Sequence, residues 1–152
     1  MTIQRMDHVG IVVDDLAAAT EFFLELGLEL QAEWSAEGRA VDRIVGLEGV
    51  RASVAMMQTP DGNGRVELSQ FHSPSHPGDN GHAPANAPGL RHITFAVEDL
   101  DAVLARVQAQ GAELVGTLER HGDTYRLCDV RGPAGIIVEL AERTASEPAR
   151  MG

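Results

Sequence analysis

The sequence predicts an α+β chain in which one βαβββ module is written twice. Three observations carry this. "MDHVGIVVDDL" at Met6–Leu16 and "LRHITFAVEDL" at Leu90–Leu100 each place a histidine near the start of an alternating apolar run. On the spacing that carries His8 onto His92, Val13 falls on Val97, Asp15 on Asp99, Leu16 on Leu100, Gly27 on Gly111 and Leu30 on Leu114. A register kept that long without a gap marks an internal duplication. Each copy also closes on a "VEL" strand, in "RVELSQ" and "IVELAE", with the second copy shorter in its middle.

The elements come in the same order in both copies. The opening strands alternate, and end at "DD" or "ED", whose carboxylates suit a helix N-terminus. Leu16, Ala19, Thr20 and Phe23 keep helical spacing, as do Leu100, Val103, Leu104 and Val107. Gly27 and Gly111 fall where a left-handed residue ends a helix. Strand-like runs then come at Leu28–Ala36, Val50–Gln58 and Gly64–Phe71, matched by Glu113–Gly116, Thr124–Val130 and Ile136–Ala141. The turns are "TPDGNG" and "RGPAG". Between the second and third strands "VDRIVGLEG" reads either as a helix covering a groove or as a partner interface. The organisation expected is a first module at 1–72, a Pro/Gly/Asn-rich linker at 73–89, a second module at 90–142 and a frayed tail at 143–152.

Composition narrows the function classes. The chain has 152 residues, 43% of them hydrophobic, and a net charge of −11 from 23 acidic against 12 basic residues. With no basic run to offset that acidity, nucleic acid is not an expected partner. No apolar run approaches the roughly 20 residues of a membrane span, and "MTIQRMDH" lacks the features of a signal peptide. The single cysteine, Cys128, excludes an internal disulfide and points to a reducing cytoplasm. In the middle of a strand, without a neighbouring base, it reads as a small core residue.

Strand alternation places the histidines. Val9, Ile11 and Val13 form one face, leaving His8 with Gly10 and Val12; Ile93, Phe95 and Val97 likewise leave His92 with Thr94 and Ala96. Val66 and Leu68 face away from Glu67, and Val138 and Leu140 away from Glu139. Four ionisable groups, His8, Glu67, His92 and Glu139, are thus expected on the faces turned from the helices. If the sheets meet about a pseudo-twofold axis, the four converge. One strand histidine alone is more often a hydrogen-bonded core or surface residue than a ligand. A glutamate in a buried strand is harder to excuse, and both recur in repeat register. Two imidazoles and two carboxylates suit a borderline divalent ion such as Zn²⁺, Ni²⁺, Co²⁺ or Mn²⁺, with positions left for water or substrate.

At these residues the chain resembles the vicinal oxygen chelate superfamily, which includes glyoxalase I, methylmalonyl-CoA epimerase, extradiol dioxygenases and bleomycin-resistance proteins. The resembling segments are "DHVGIVVDDLAAATEFFLELGL", "GRVELSQF", "LRHITFAVEDLDAVLARVQAQGAEL" and "GPAGIIVEL". The resemblance implies paired modules forming a curved open mixed-sheet barrel around one divalent ion, held by His8, Glu67, His92 and Glu139. It further implies a redox-neutral lyase or isomerase of glyoxalase or epimerase type, which removes a proton next to a metal-bound carbonyl through an enediolate. Glu139 or Glu67 would serve as base, Glu139 being the one the resemblance favours. A glutamate at position 67 resembles glyoxalase I. Glu48, beside a "GV" pair, resembles the epimerase's second glutamate but is shifted by one residue.

Two other classes stand beside this. An Fe²⁺ extradiol dioxygenase would use His8, His92 and Glu139, with Tyr125 and His121 as polar helpers, and Glu67 then blocks a position that O₂ needs. A non-catalytic small-molecule (antibiotic) binding protein would line a groove with Trp34, Met56, Met57 and Phe71, although residues of these types more often fill a core. Arg39, Arg43, Arg51 and Arg126 are candidates for a carboxylate or thioester phosphate, against solvation at the surface. His72, His76 and His82 are expected as solvated linker positions. The resemblance implies a homodimer acting on a small-molecule substrate. The linker could span up to roughly 55–60 Å, so the modules could pair within one chain or between two.

Overall fold

The computed structural model describes residues 2–76 and 81–144. The chain divides into two compact units, Met1–Asp79 and Asn80–Gly152. The first unit contains β1 (Val9–Val12), α1 (Leu16–Leu26), β2 (Glu29–Glu37), α2 (Arg39–Val45), β3 (Arg51–Gln58) and β4 (Arg65–Ser73). Its sheet runs β1-β4-β3-β2, with β1 parallel to β4 and the other pairs antiparallel. The second unit contains β5 (His92–Val97), α3 (Leu100–Ala109), β6 (Glu113–Leu114), β7 (Glu119–His121), β8 (Tyr125–Arg131) and β9 (Ile137–Arg143). Its path is β5-β9-β8-β6, with β7 also pairing β8. The class is α+β: two mixed sheets, neither closed, each from one copy of the repeat.

The helices start as the paired carboxylates require. Asp15 Oδ1 accepts from the Ala18 N–H at 3.0 Å, and Asp99 Oδ1 from the Ala102 N–H at 3.1 Å, satisfying amides that have no partner within the helix. Both helices have a second tie at the same end. The Leu16 N–H donates to Gln70 Oε1 of β4, and the Leu100 N–H to Glu142 Oε2 of β9, each at 2.9 Å. Gln70 and Glu142 hold equivalent places after "VEL", so the duplication repeats a helix-to-sheet fastening as well as a strand. In the second unit Arg126 joins it, donating to Glu142 Oε1 at 3.1 Å and to both Asp101 oxygens at 3.0 and 3.1 Å. Arg126 is therefore committed to the fold. Gly27 ends α1 at φ 112, a conformation that glycine adopts at least cost. Gln110 caps α3, and Gly111, at φ 96, takes the left-handed position just beyond it.

The cores lie between helix and sheet. In the first unit Ala19, Phe22, Phe23 and Leu26 of α1 are buried, with Ile11, Met57, Val66 and Leu68 among the buried strand residues. The stripe is turned from the expected set, Leu16 and Thr20 being only half-buried. In the second unit Leu100, Val103, Leu104 and Val107 are all buried, as expected, with Val130, Val138 and Leu140 on the sheet.

Some placements depart from expectation. "VDRIVGLEG" is a helix for its first part, yet Ile44, Val45 and Leu47 are exposed. Asp42 fixes the turn between α2 and β3, accepting from the Gly49 N–H at 3.1 Å and the Val50 N–H at 2.9 Å. His72 lies inside β4, before the linker, with its Nε2 2.8 Å from Ser53 Oγ. Residues 81–89 are tied to the second unit: Arg131 Nη1 donates to the Ala83 carbonyl and Arg91 Nε to the Ala87 carbonyl. Residues 77–80 of the linker and 145–152 of the tail lie outside the described residues.

Candidate functional site

In the first unit the parallel register sets Gly10 opposite Glu67, so that His8, two residues earlier, shares the face of Glu67. His8 Nε2 stands 3.5 Å from Glu67 Oε2, both side chains about a third exposed. The ring's other nitrogen, Nδ1, is 2.7 Å from Asp7 Oδ2. Asp7 also accepts from Arg5 Nη2 at 3.0 Å and from Arg65 Nη1 at 3.2 Å. The hydrogen bond from His8 holds the Asp7 carboxyl below the ordinary carboxylate range, Arg5 and Arg65 adding to it against partial desolvation. An ionised carboxylate only accepts, so Nδ1 must donate. Nε2 is then the ring nitrogen left to face the Glu67 carboxyl, with room for a cation between the two groups to be held by both. A carboxylate behind the far nitrogen is also how metal-binding imidazoles are oriented.

In the second unit the frame is the same and the surroundings differ. Thr94 stands opposite Glu139 on one side and Asp129 on the other; the equivalent places beside Glu67 hold Gly10 and Met56. Thr94 Oγ1 donates to Glu139 Oε1 at 3.0 Å. Burial, then a hydrogen bond with Glu139 and the charge of that residue, push the Asp129 carboxyl up to about 6, with His92 pulling the other way. The position before His92 is Arg91, turned to the Ala87 and Pro88 carbonyls, where the first copy has the buttressing Asp7.

The structure thus brings His8 to Glu67, and gathers Glu139 with Thr94 and Asp129. Among the described residues no group of three or more His, Cys, Asp or Glu could hold a metal ion. His8 meets Glu67 in the first unit, whereas in the second His92 is exposed at the start of β5, opposite Ile137, and among the described residues no hydrogen bond or ion pair joins it to Glu139. Imidazole nitrogen and carboxylate oxygen remain a fitting donor set for a borderline divalent ion.

Sequence reasoning missed Asp7, Asp129 and the role of Thr94. Asp7 was legible as the residue before a histidine. Asp129 was not, because only the β8–β9 register reveals that it faces Glu139. Of the other candidates, Met56 and Met57 are buried, whereas Trp34 is 42% exposed. His121 is exposed at the β7 hairpin. Cys128 is buried; desolvation, then the Asp129 charge, push its thiol up to about 11, so it is a poor nucleophile at neutral pH.

Residues 5–140 match the Glyoxalase/Bleomycin resistance protein/Dioxygenase superfamily. The chain belongs to that superfamily. A glyoxalase family protein from Bacillus cereus has a crystal structure that superposes with a TM-score of 0.91 at 43% identity, over 95% of this chain and 97% of that one. An ethylmalonyl-CoA/methylmalonyl-CoA epimerase from Cereibacter sphaeroides is 29% identical over 92% of this chain and 98% of its own. The fosfomycin resistance protein FosX from Listeria monocytogenes, complexed with Mn(II) and sulfate, shares the fold at a TM-score of 0.59 and 17% identity, over 96% of this chain and 98% of that one. No helix among the described residues is long and apolar enough to cross a membrane.

Asp129 yields a pH-dependent prediction for the metal-free protein. Its folded-state pKa lies above the unfolded value, so the folded state binds the proton more tightly. That contribution is full below about pH 4 and is lost as pH rises through 6. Asp129→Asn should therefore stabilise the protein at pH 8 by about 1 kcal/mol, discounted from the roughly 1.4 kcal/mol per pKa unit because the site is part-exposed. At pH 4 it should leave stability unchanged. Urea midpoints at the two pH values check this; an equal effect at both would refute it.

Proposed function

We propose that this protein is a metal-dependent, redox-neutral lyase or isomerase of the glyoxalase or epimerase type, using His8, Glu67, His92 and Glu139 to hold one divalent ion. The observation that carries the reading is the His8–Glu67 arrangement: a ring fixed by Asp7 with its free nitrogen 3.5 Å from a carboxylate oxygen. The second copy would supply the other half of the donor set through His92 and Glu139. When bound, Zn²⁺, Ni²⁺, Co²⁺ or Mn²⁺ supplies Lewis acidity to a substrate carbonyl. The chain's own part is to remove and return the neighbouring proton, which we assign to Glu139, with Glu67 as the other candidate base.

The epimerase relative and the Mn(II)-bound FosX complex support metal-assisted chemistry on a small molecule. Glu48 is exposed beyond α2, and the proposal assigns it no step. The exposed Val12 and Trp34 favour a second reading, a non-catalytic protein that binds an apolar small molecule. A cytoplasmic location fits the single, buried cysteine.

Elemental analysis of the purified protein, followed by a deuterium-exchange screen of hemithioacetals and 2-methyl acyl-thioesters, tests the proposal. Near-stoichiometric metal is expected, falling at least about tenfold in His8→Ala, together with exchange at the carbon next to the carbonyl. A protein that neither retains nor takes up a divalent ion would end the proposal. Ligand binding without exchange would favour the second reading.

A further inference from the structure

The two copies make a controlled comparison within one chain. Glu67 and Glu139 occupy the same place in the same strand, yet their cross-strand neighbours differ in kind. Beside Glu67 stand Gly10 and Met56, neither offering a polar side chain, and a Cβ built at Gly10 meets nothing within 4 Å. Beside Glu139 stand Thr94, whose hydroxyl donates to Oε1 at 3.0 Å, and Asp129, opposite it on the other flanking strand.

We infer that Thr94 is a positioning residue for Glu139, holding one oxygen of its carboxyl group by the hydroxyl bond from β5, whereas Glu67 has no such donor across from it. The inference rests on the reading of Glu139 as the proton-moving residue. A carboxylate that only coordinates an ion can settle into the ion's geometry as it binds. One that takes a proton from carbon and returns it must already present its oxygen along a fixed line, because small misplacements of a reacting group are costly in rate. Thr94 occupies Oε1 and so distinguishes the two oxygens. Glu67 has no hydroxyl across from it, and its Oε2 instead faces His8 Nε2 at 3.5 Å.

The test compares Thr94→Ala and Thr94→Ser with the wild type in two measurements. In the metal-loaded protein, Thr94→Ala should lower the exchange rate constant about tenfold or more, with KM and metal content within about twofold. Thr94→Ser should restore the rate, because only the hydroxyl is needed. In the metal-free protein, the ¹³C resonance of the Glu139 carboxyl should move in Thr94→Ala and return in Thr94→Ser, with the Glu67 resonance unmoved in both. An unchanged rate and an unmoved Glu139 resonance in Thr94→Ala would overturn the inference. So would a loss of metal in step with the rate, which would make Thr94 a support for the ion. A wild-type protein without metal or exchange would sink the proposed function, while the metal-free resonance would still report whether Thr94 holds Glu139.

Discussion

Phe23→Ala is expected to destabilise the first unit by about 3–5 kcal/mol, the range for removing a fully buried phenylalanine without refilling its space. Phe23 has no exposed surface, and its ring meets Phe22 edge to face at 5.2 Å between centroids. It lies on the helix that covers the inner face of β3 and β4, where Met57 and Leu68 are also fully buried. The loss therefore combines transferred apolar area, an edge-to-face contact and a cavity that the fastened helix cannot readily close. The chain carries one reporter in each unit, its only tryptophan, Trp34, and its only cysteine, Cys128. In urea, the Trp34 fluorescence transition of Phe23→Ala should move to clearly lower denaturant. A Trp34 midpoint matching the wild type would contradict the packing described for α1.

The same helix shows how far the sequence could be read. Its boundaries were legible because capping is local: Asp15 bonds an amide three residues on, and Gly27 ends the helix within its own last turn. Its buried face was legible only approximately, since Phe22 and Leu26 joined the core through contacts that depend on where β3 and β4 lie. The strand faces were fixed by simple alternation. Ile11 and Val13 are buried while Val12 is 60% exposed, and Leu68 and Leu140 are buried behind Glu67 and Glu139. β7 escaped notice because "ERH" is polar and exposed throughout and pairs only by virtue of its hairpin with β8. For α2 the reading stayed open, and the helix forms without burying its own apolar side chains.

The candidate site divides along the same line. Which face a residue takes is a property of its own strand, so His8 and Glu67 could each be expected on the face turned from the helix, whereas their approach to 3.5 Å depends on the β1–β4 register. Which residue lies across from another is a property of strand pairing. The β8–β9 register places Asp129 against Glu139, and no linear pattern in "DTYRLCDV" announces it. Thr94 stood in plain view as a small neighbour of His92, but its hydrogen bond depends on the parallel register of β5 with β9. The difference between the surroundings of the two glutamates therefore became visible only when the sheets were assembled.

That difference makes Glu139→Gln the most decisive single substitution. It should leave divalent-metal content near the wild-type level and slow exchange next to the substrate carbonyl by at least about a hundredfold, the lower end of what a positioned acid–base group contributes. Glutamine keeps the length and an oxygen that can accept from Thr94 and face a cation. Its amide can donate to Asp129, so the local structure loses little. What it lacks is a site that takes up a proton at neutral pH. Glu67→Gln is the matched control, because it makes the same chemical change in the same strand position of the other copy. Its expected cost falls on metal affinity, with exchange recovering when excess ion is supplied. Exchange should not recover in Glu139→Gln at any ion concentration. If Glu139→Gln exchanges at the wild-type rate, or if the two variants trade behaviours, the proton-moving role does not belong to Glu139, and the hydroxyl bond from Thr94 must serve some other end.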